Sequence, residues 1–200
     1  MNLEILMAFV AFAFVSSITP GPNNLMLMAS GANYGFARSI PHMLGIGIGF
    51  VIMVALVGVG LIQVFDSYPA SYTYLKIGSV AYLLYLALKI ATASPPAQGK
   101  ECNGKPLSFM QAALFQWVNP KAWTMALTAI TVYAPSRSLE MILLTALVFG
   151  VVNLPSVSMW TVLGQQLQRL LRNDYQLKLF NLTMAALLVA SLLPVVMPTT

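Results

Sequence analysis

The apolar positions of this chain come in long runs, not in short alternations. A run of roughly twenty apolar residues is long enough to cross a bilayer as a helix. Six can be traced, with approximate limits Leu3 to Asn33, Ile40 to Val64, Tyr72 to Thr92, Ser108 to Tyr133, Leu139 to Leu163 and Leu179 to Met197. Short polar turns separate them at Tyr34–Arg38, at Asp66-Ser67-Tyr68-Pro69 and at Pro135. Between Gly164 and Lys178, Leu167, Leu170 and Leu171 alternate with Arg169 and Arg172. That pattern predicts a basic amphipathic connection at the headgroup level.

Two of the runs are interrupted. The first contains Thr19-Pro20-Gly21-Pro22-Asn23-Asn24, and the fourth contains Asn119-Pro120-Lys121. Proline has no N–H and clashes with the preceding turn, and glycine loses the most entropy on ordering, so neither segment continues a regular helix. A backbone group freed in lipid and left unpaired costs about 2–7 kcal/mol, depending on reference state. Such breaks are tolerated where they meet other protein or a wet cavity. At ~1.5 Å rise per residue, each break has about 16–21 Å of helix on either side. Against a hydrocarbon core roughly 30 Å thick, both fall deep in the membrane.

The two halves echo each other. Pro120 follows Pro20 by 100 positions, Leu139 follows Ile40 by 99, and the sixth run starts about 105 after the third. A repeated unit of three spans must re-enter from the opposite side, which makes an inverted repeat. The predicted fold is therefore an all-α membrane protein of six transmembrane helices, built as two inverted three-helix repeats with helices one and four broken. Residues 1–93 form the first repeat, 94–107 a linker containing Pro95-Pro96, and 108–200 the second repeat. Lysine and arginine set the orientation. Arg38, Lys89, Lys100, Lys105, Arg169, Arg172 and Lys178 fall on one side, and Lys76 and Arg137 on the other. The first side is predicted to be cytoplasmic, with the linker on it and both termini outside.

Composition narrows the class. The chain is 58% hydrophobic and 8% charged, with mean hydropathy +0.80. About 25% charged residues is usual for a soluble domain. The net charge of +5 is spread over span ends, where it matches anionic lipid headgroups and not nucleic acid. One cysteine, Cys102, and one histidine, His42, leave no disulfide framework and predict no metal or cofactor. The first residues, Met1-Asn2-Leu3-Glu4, lack a basic region, so the first run is expected to be a retained helix.

The chemistry gathers at the breaks. Asn119 before Pro120 reads as an N-cap followed by proline at the first helical position, and Asn23 and Asn24 follow Pro22 in a similar way. Each second half-helix would begin with free N–H groups at a positive dipole end, suited to an anion. Lys121 adds a full charge, and no acidic residue within the span cores pairs with it. The expected substrate-binding residues are Thr19, Pro20, Gly21, Pro22, Asn23, Asn24, Asn119, Pro120 and Lys121, and the expected ligand is a carboxylate. Asn153 and Pro155 mark either a kink or a site. Gln111 and Gln116 face either a cavity or a neighbouring helix. Gly45 and Gly49 read as helix packing, with a homodimer contact as the alternative. His42 beside Pro41 reads as a boundary histidine.

With Thr19-Pro20-Gly21-Pro22-Asn23 early in the chain, and Phe115 followed by Asn119-Pro120-Lys121 in the fourth run, the sequence resembles the lysine-exporter (LysE/RhtB) family over essentially its whole length. The resemblance implies efflux of small amino acids or derivatives across a bacterial inner membrane, driven by proton antiport. The members it looks most like export cysteine and O-acetylserine, or homoserine and threonine. A lysine side chain would need an acidic partner, so the expected substrate is neutral. Two rival classes are a membrane-embedded enzyme and a non-transporting scaffold or assembly protein. The first requires a nucleophile–base or metal constellation that the spans lack; the second would use the glycine-rich faces.

Overall fold

The helices are divided at Pro20-Gly21-Pro22 and at Asn119-Pro120, while Pro41 and Pro155 remain inside helices. The computed structural model describes residues 3–61, 63, 67–68, 70–93, 105–134, 136, 138–171 and 173–193. Most of the predicted linker, with Pro95-Pro96, Lys100 and Cys102, lies outside the described residues, as do Asp66, Pro69, Pro135, Arg137, Arg172 and residues 194–200. Helix α1 spans Leu3–Ile18 and α2 spans Pro22–Leu56, so the first break lies between them. A π-helical turn, Val57–Leu61, ends α2. Then come α3 (Ala70–Ala91), α4 (Phe109–Phe115) with a 3-10 turn at Gln116–Val118, α5 (Pro120–Tyr133), α6 (Leu139–Leu170) and α7 (Asp174–Ala190). No strand occurs among the described residues. Three helices are long and apolar enough to cross a membrane, at Pro22–Leu61, Thr73–Ala91 and Leu139–Leu170; Leu3–Ile18 is apolar but shorter.

Local chemistry accounts for most helix ends. Ser108 and Gln111 form a reciprocal capping box that starts α4, and Ser138 and Asn173 cap α6 and α7. Two boundaries differ from the sequence reading. The predicted turn at Tyr34–Arg38 contracts to a single residue, Gly35, whose φ of 78° only glycine adopts cheaply; helix continues on both sides. The predicted headgroup-level connection is also shorter, because Gly164 to Leu170 completes α6 and α7 begins at Asp174. The apolar face of Leu167 and Leu170 is compatible with helix, and nothing between Gly164 and Leu170 breaks it.

Helix α2 packs most extensively on α6, and also on α4; α3 packs on α7, and α1 on α6. The α2–α6 crossing is close. A Cβ on Gly31 would lie 2.0 Å from the Thr161 carbonyl oxygen, and one on Gly164 would lie 2.0 Å from that of Met28. Small residues let backbones approach where no hydrophobic drive holds helices together. Gly45 and Gly49 serve the same purpose inside the chain, against Phe109, Ala112 and Ala113 of α4. Their packing reading holds, and this pair is covered from within.

Two larger apolar cores result, beside a small cluster of Leu25, Ala29 and Met184. One joins Phe9, Phe50, Ala126 and Phe149; the rings of Phe50 and Phe149 meet edge-on at 4.9 Å. The other joins Leu27, Ile46, Leu86, Phe115, Val157 and Leu188. Outside them the surface is apolar too. Val151, mid-way along α6, is 74% exposed. Exposed aliphatic side chains on that scale suit lipid and not water.

Candidate functional site

The two breaks meet. Asn23 Nδ2 donates to Gln116 Oε1 at 2.8 Å, and Gln116 Nε2 returns a bond to Asn23 Oδ1 at 3.2 Å. Lys121 Nζ donates to the Thr19 carbonyl at 2.6 Å, to Thr19 Oγ1 at 2.9 Å and to the Pro20 carbonyl at 3.4 Å. Side chains of the second break thus bind the first break directly.

Most of these bonds satisfy the end of α1. A helix leaves its last four carbonyls without intrahelical partners. Here Asn24 Nδ2 donates to the Ser17 and Thr19 carbonyls at 2.8 and 2.7 Å, Trp160 Nε1 donates to that of Ile18 at 3.1 Å, and Lys121 covers Thr19 and Pro20. Four consecutive carbonyls therefore accept from α2, α5 and α6. The electrostatics agree. Lys121 is the second residue of α5, at the positive end of its own helix dipole, and it reaches across to the negative end of α1.

The two N-termini differ. Asn119 caps α5 as its sequence predicts, with Oδ1 accepting from the Lys121 amide at 3.1 Å and Pro120 at the first helical position. At α2 the N-cap is Gly21, which supplies no side-chain bond. Asn23 and Asn24 lie inside that helix, and Asn24 donates backwards to the end of α1.

Between the two apolar cores, with Phe50 from one and Val157 from the other in its walls, is a polar cavity. Gly21, Asn23, Asn24, Asn119 and Lys121 line it, as do Ser16, Ser17, Met125 and Asn153. Its volume of about 20 Å³ accommodates a single water. Five of the nine expected residues therefore line one cavity. Thr19 and Pro20 accept from Lys121, and Pro22 and Pro120 open the two helices that frame the space.

Sequence reasoning left Asn153 undecided between kink and site, and the structure puts it in the cavity wall. It is 4% exposed, Nδ2 donates to Ser17 Oγ at 2.9 Å, and Oδ1 has no partner. Gln116 faces the first break, and Gln111 only caps α4. Ser17 and Trp160 carried no signal of their own, because neither type is unusual in a membrane helix. His42, beside Pro41, faces inward. It is 1% exposed, lies within the protein, and neither ring nitrogen has a partner. Among the described residues no three His, Cys, Asp or Glu side chains come together as a metal site.

Two interrupted helices pinned together around a small polar cavity, in an all-helical chain with an apolar exterior, define a membrane transport architecture. The chain belongs to the LysE family: residues 14–192 match the family described as LysE type translocator. It is a transport protein and not an enzyme. The cysteine/O-acetylserine efflux protein of Escherichia coli (strain K12) is 30% identical over 193 residues, which covers 94% of this chain and 96% of that one. The protein of the same name in Shigella flexneri serotype 5b (strain 8401) is 30% identical over 189 residues, 92% of this chain and 94% of its own. No solved structure matches the chain.

Proposed function

We propose that this protein is a secondary transporter that exports a small neutral amino acid or derivative, of the cysteine/O-acetylserine or homoserine/threonine type, from a bacterial cytoplasm by proton antiport. The observation that carries the reading is the contact between breaks, Lys121 Nζ on the Thr19 carbonyl at 2.6 Å. That contact ties two half-helices at the point where a carrier must open and close. The six-span inverted repeat in an inner membrane, with both termini outside, is part of the same proposal, as are protons and lipid as partners.

The cavity holds about one water, so this arrangement is closed. Admitting an amino acid requires the half-helices to part. In the opened site the substrate carboxylate takes over Lys121 and the uncapped first amides of α2, which suits an anion at a helix N-terminus. The unpartnered Asn153 Oδ1 accepts from the substrate ammonium. Among the described residues no acidic side chain lines the cavity, which disfavours lysine or arginine as substrate. Uptake into inside-out vesicles tests the reading. Cysteine or homoserine is expected to accumulate when a proton gradient is imposed, and lysine is not. Lysine uptake at an equal rate overturns the neutral-substrate assignment. Absence of any flux from proteoliposomes, with a second protein co-purifying, favours the scaffold reading.

A further inference from the structure

A second cavity, of about 40 Å³, lies away from the breaks and takes no part in the site described above. Its lining includes Ser30, Asn33, His42, Lys89 and Lys105, and no acidic side chain among the described residues. His42 is 1% exposed, and both imidazole nitrogens lack a partner. A buried ring with two idle nitrogens is uncommon, because a buried polar atom normally finds a partner. Here the residue lines a cavity that Lys89 and Lys105 also line.

The walls are built and held. Asn33 and Asn181 exchange side-chain hydrogen bonds at 2.7 and 2.9 Å, and Asn181 Nδ2 also donates to the Ala93 carbonyl at 3.2 Å. The exchange joins α2 to α7, and the third bond anchors Ala93, two residues past the end of α3. Lys89 is half-buried, and Lys105 is exposed, at the mouth. Both lysines belong to the side predicted to face the cytoplasm.

We propose that this cavity is a carboxylate-binding site on the entry side of the protein, which holds the amino-acid substrate before it reaches the breaks. Lys89 and Lys105 supply the charge, and a ring N–H of His42 donates to the carboxylate. The space exceeds what one water needs and fits the carboxylate end of a small molecule. For the identity of its ligand the inference rests on the export reading.

His42 is the chain's single histidine, so it provides its own probe. Protein labelled with 15N-histidine and purified through a histidine-free tag gives imidazole signals from this residue alone. Titration with L-cysteine under reducing conditions is expected to move them saturably, and L-cysteine methyl ester, which lacks the carboxylate, is expected not to. The Lys89→Gln/Lys105→Gln double variant should bind about tenfold more weakly or worse, the loss expected for charge-assisted hydrogen bonds. If that variant does not fold, Lys105→Gln alone, at the exposed mouth, should still weaken binding. The response should persist in Lys121→Ala, which separates this cavity from the breaks.

A signal that cysteine leaves unmoved overturns the site, whether or not the protein carries flux. Equal response to the methyl ester overturns the carboxylate assignment. A response to phosphatidylglycerol vesicles that cysteine does not compete away reassigns the cavity to lipid headgroups and also overturns it. A specific cysteine response in a protein without flux keeps the site and removes the export reading instead.

Discussion

Lys121 binds the carbonyl of Thr19, a residue 102 positions earlier, at 2.6 Å. The contact turns two separate helix faults into one structure. It also means that the Lys121 ammonium already has protein partners in this structure. On the proposed reading, a carboxylate that draws Lys121 away removes one of the groups that hold the end of α1, beside Asn24 and Trp160, and so couples binding to opening. Lys121→Ala is expected to abolish efflux without preventing membrane insertion. Flux from overproducing cells, normalised to membrane-resident protein, checks this; wild-type flux removes Lys121 from the mechanism.

Gly21 tests the same contact from the other side. A Cβ there would lie 2.7 Å from Lys121 Cδ and 3.2 Å from its Nζ, with no backbone in the way. Gly21→Ala should therefore displace the lysine tip and leave the fold intact. Transport is expected to fall while thermal stability in detergent changes by no more than about 1 kcal/mol, since the displaced group is a flexible side-chain end. Unchanged transport would show that Lys121 need not sit on Thr19.

The Asn23–Gln116 pair offers a coupling measurement. Because each amide both donates to and accepts from the other, removing Gln116 takes both bonds from Asn23, and removing Asn23 strands Gln116 Oε1 while its Nε2 keeps the Ala112 carbonyl. Asn23→Ala and Gln116→Ala should each destabilise the protein, and the double variant should lose less than the sum. An interaction energy of about 0.5–3 kcal/mol is expected for residues in one network. Simple additivity would mean that the two breaks are not joined through these side chains.

Glycines predict opposite signs. Gly31→Ala forces a methyl group against the Thr161 carbonyl, and backbone cannot step aside as a side chain can. Overpacking of this kind costs roughly 1–3 kcal/mol. Gly78 lies in α3 with nothing within 4 Å of a new Cβ. Gly78→Ala should stabilise by about 0.4–1 kcal/mol, by narrowing the unfolded ensemble. Melting of the two purified variants in one detergent checks both. A Gly31→Ala protein as stable as wild type would mean that α2 and α6 do not cross as closely as described.

Asn153 carries the last prediction. Asn153→Leu keeps the branched shape at a larger volume and removes the free acceptor together with the bond to Ser17. If Oδ1 receives the substrate ammonium, KM should rise by about tenfold, the factor for one hydrogen bond to a charged group. Transport kinetics in vesicles measure it. An unchanged KM assigns Asn153 only to holding Ser17.

What the residues determined by themselves is local or compositional. Pro22 after Pro20-Gly21, and Pro120 after Asn119, each start a new helix, whereas the lone Pro41 and Pro155 stay inside α2 and α6. Long apolar runs with few charges require lipid or a buried core. The signatures at Thr19–Asn23 and Asn119–Lys121 also pointed to the family, because they depend on residue identity alone. Only the tertiary structure decided where the polar side chains go. Lys121 turns to the end of α1, Asn153 reaches Ser17 from 136 positions away, Asn33 finds Asn181, and His42 sits buried beside a second cavity. Such partners are chosen by helix packing, and packing follows from close approaches such as Gly31 on Thr161. A linear pattern of apolar and polar residues does not encode those approaches, since in lipid the outward and inward faces of a helix are both apolar.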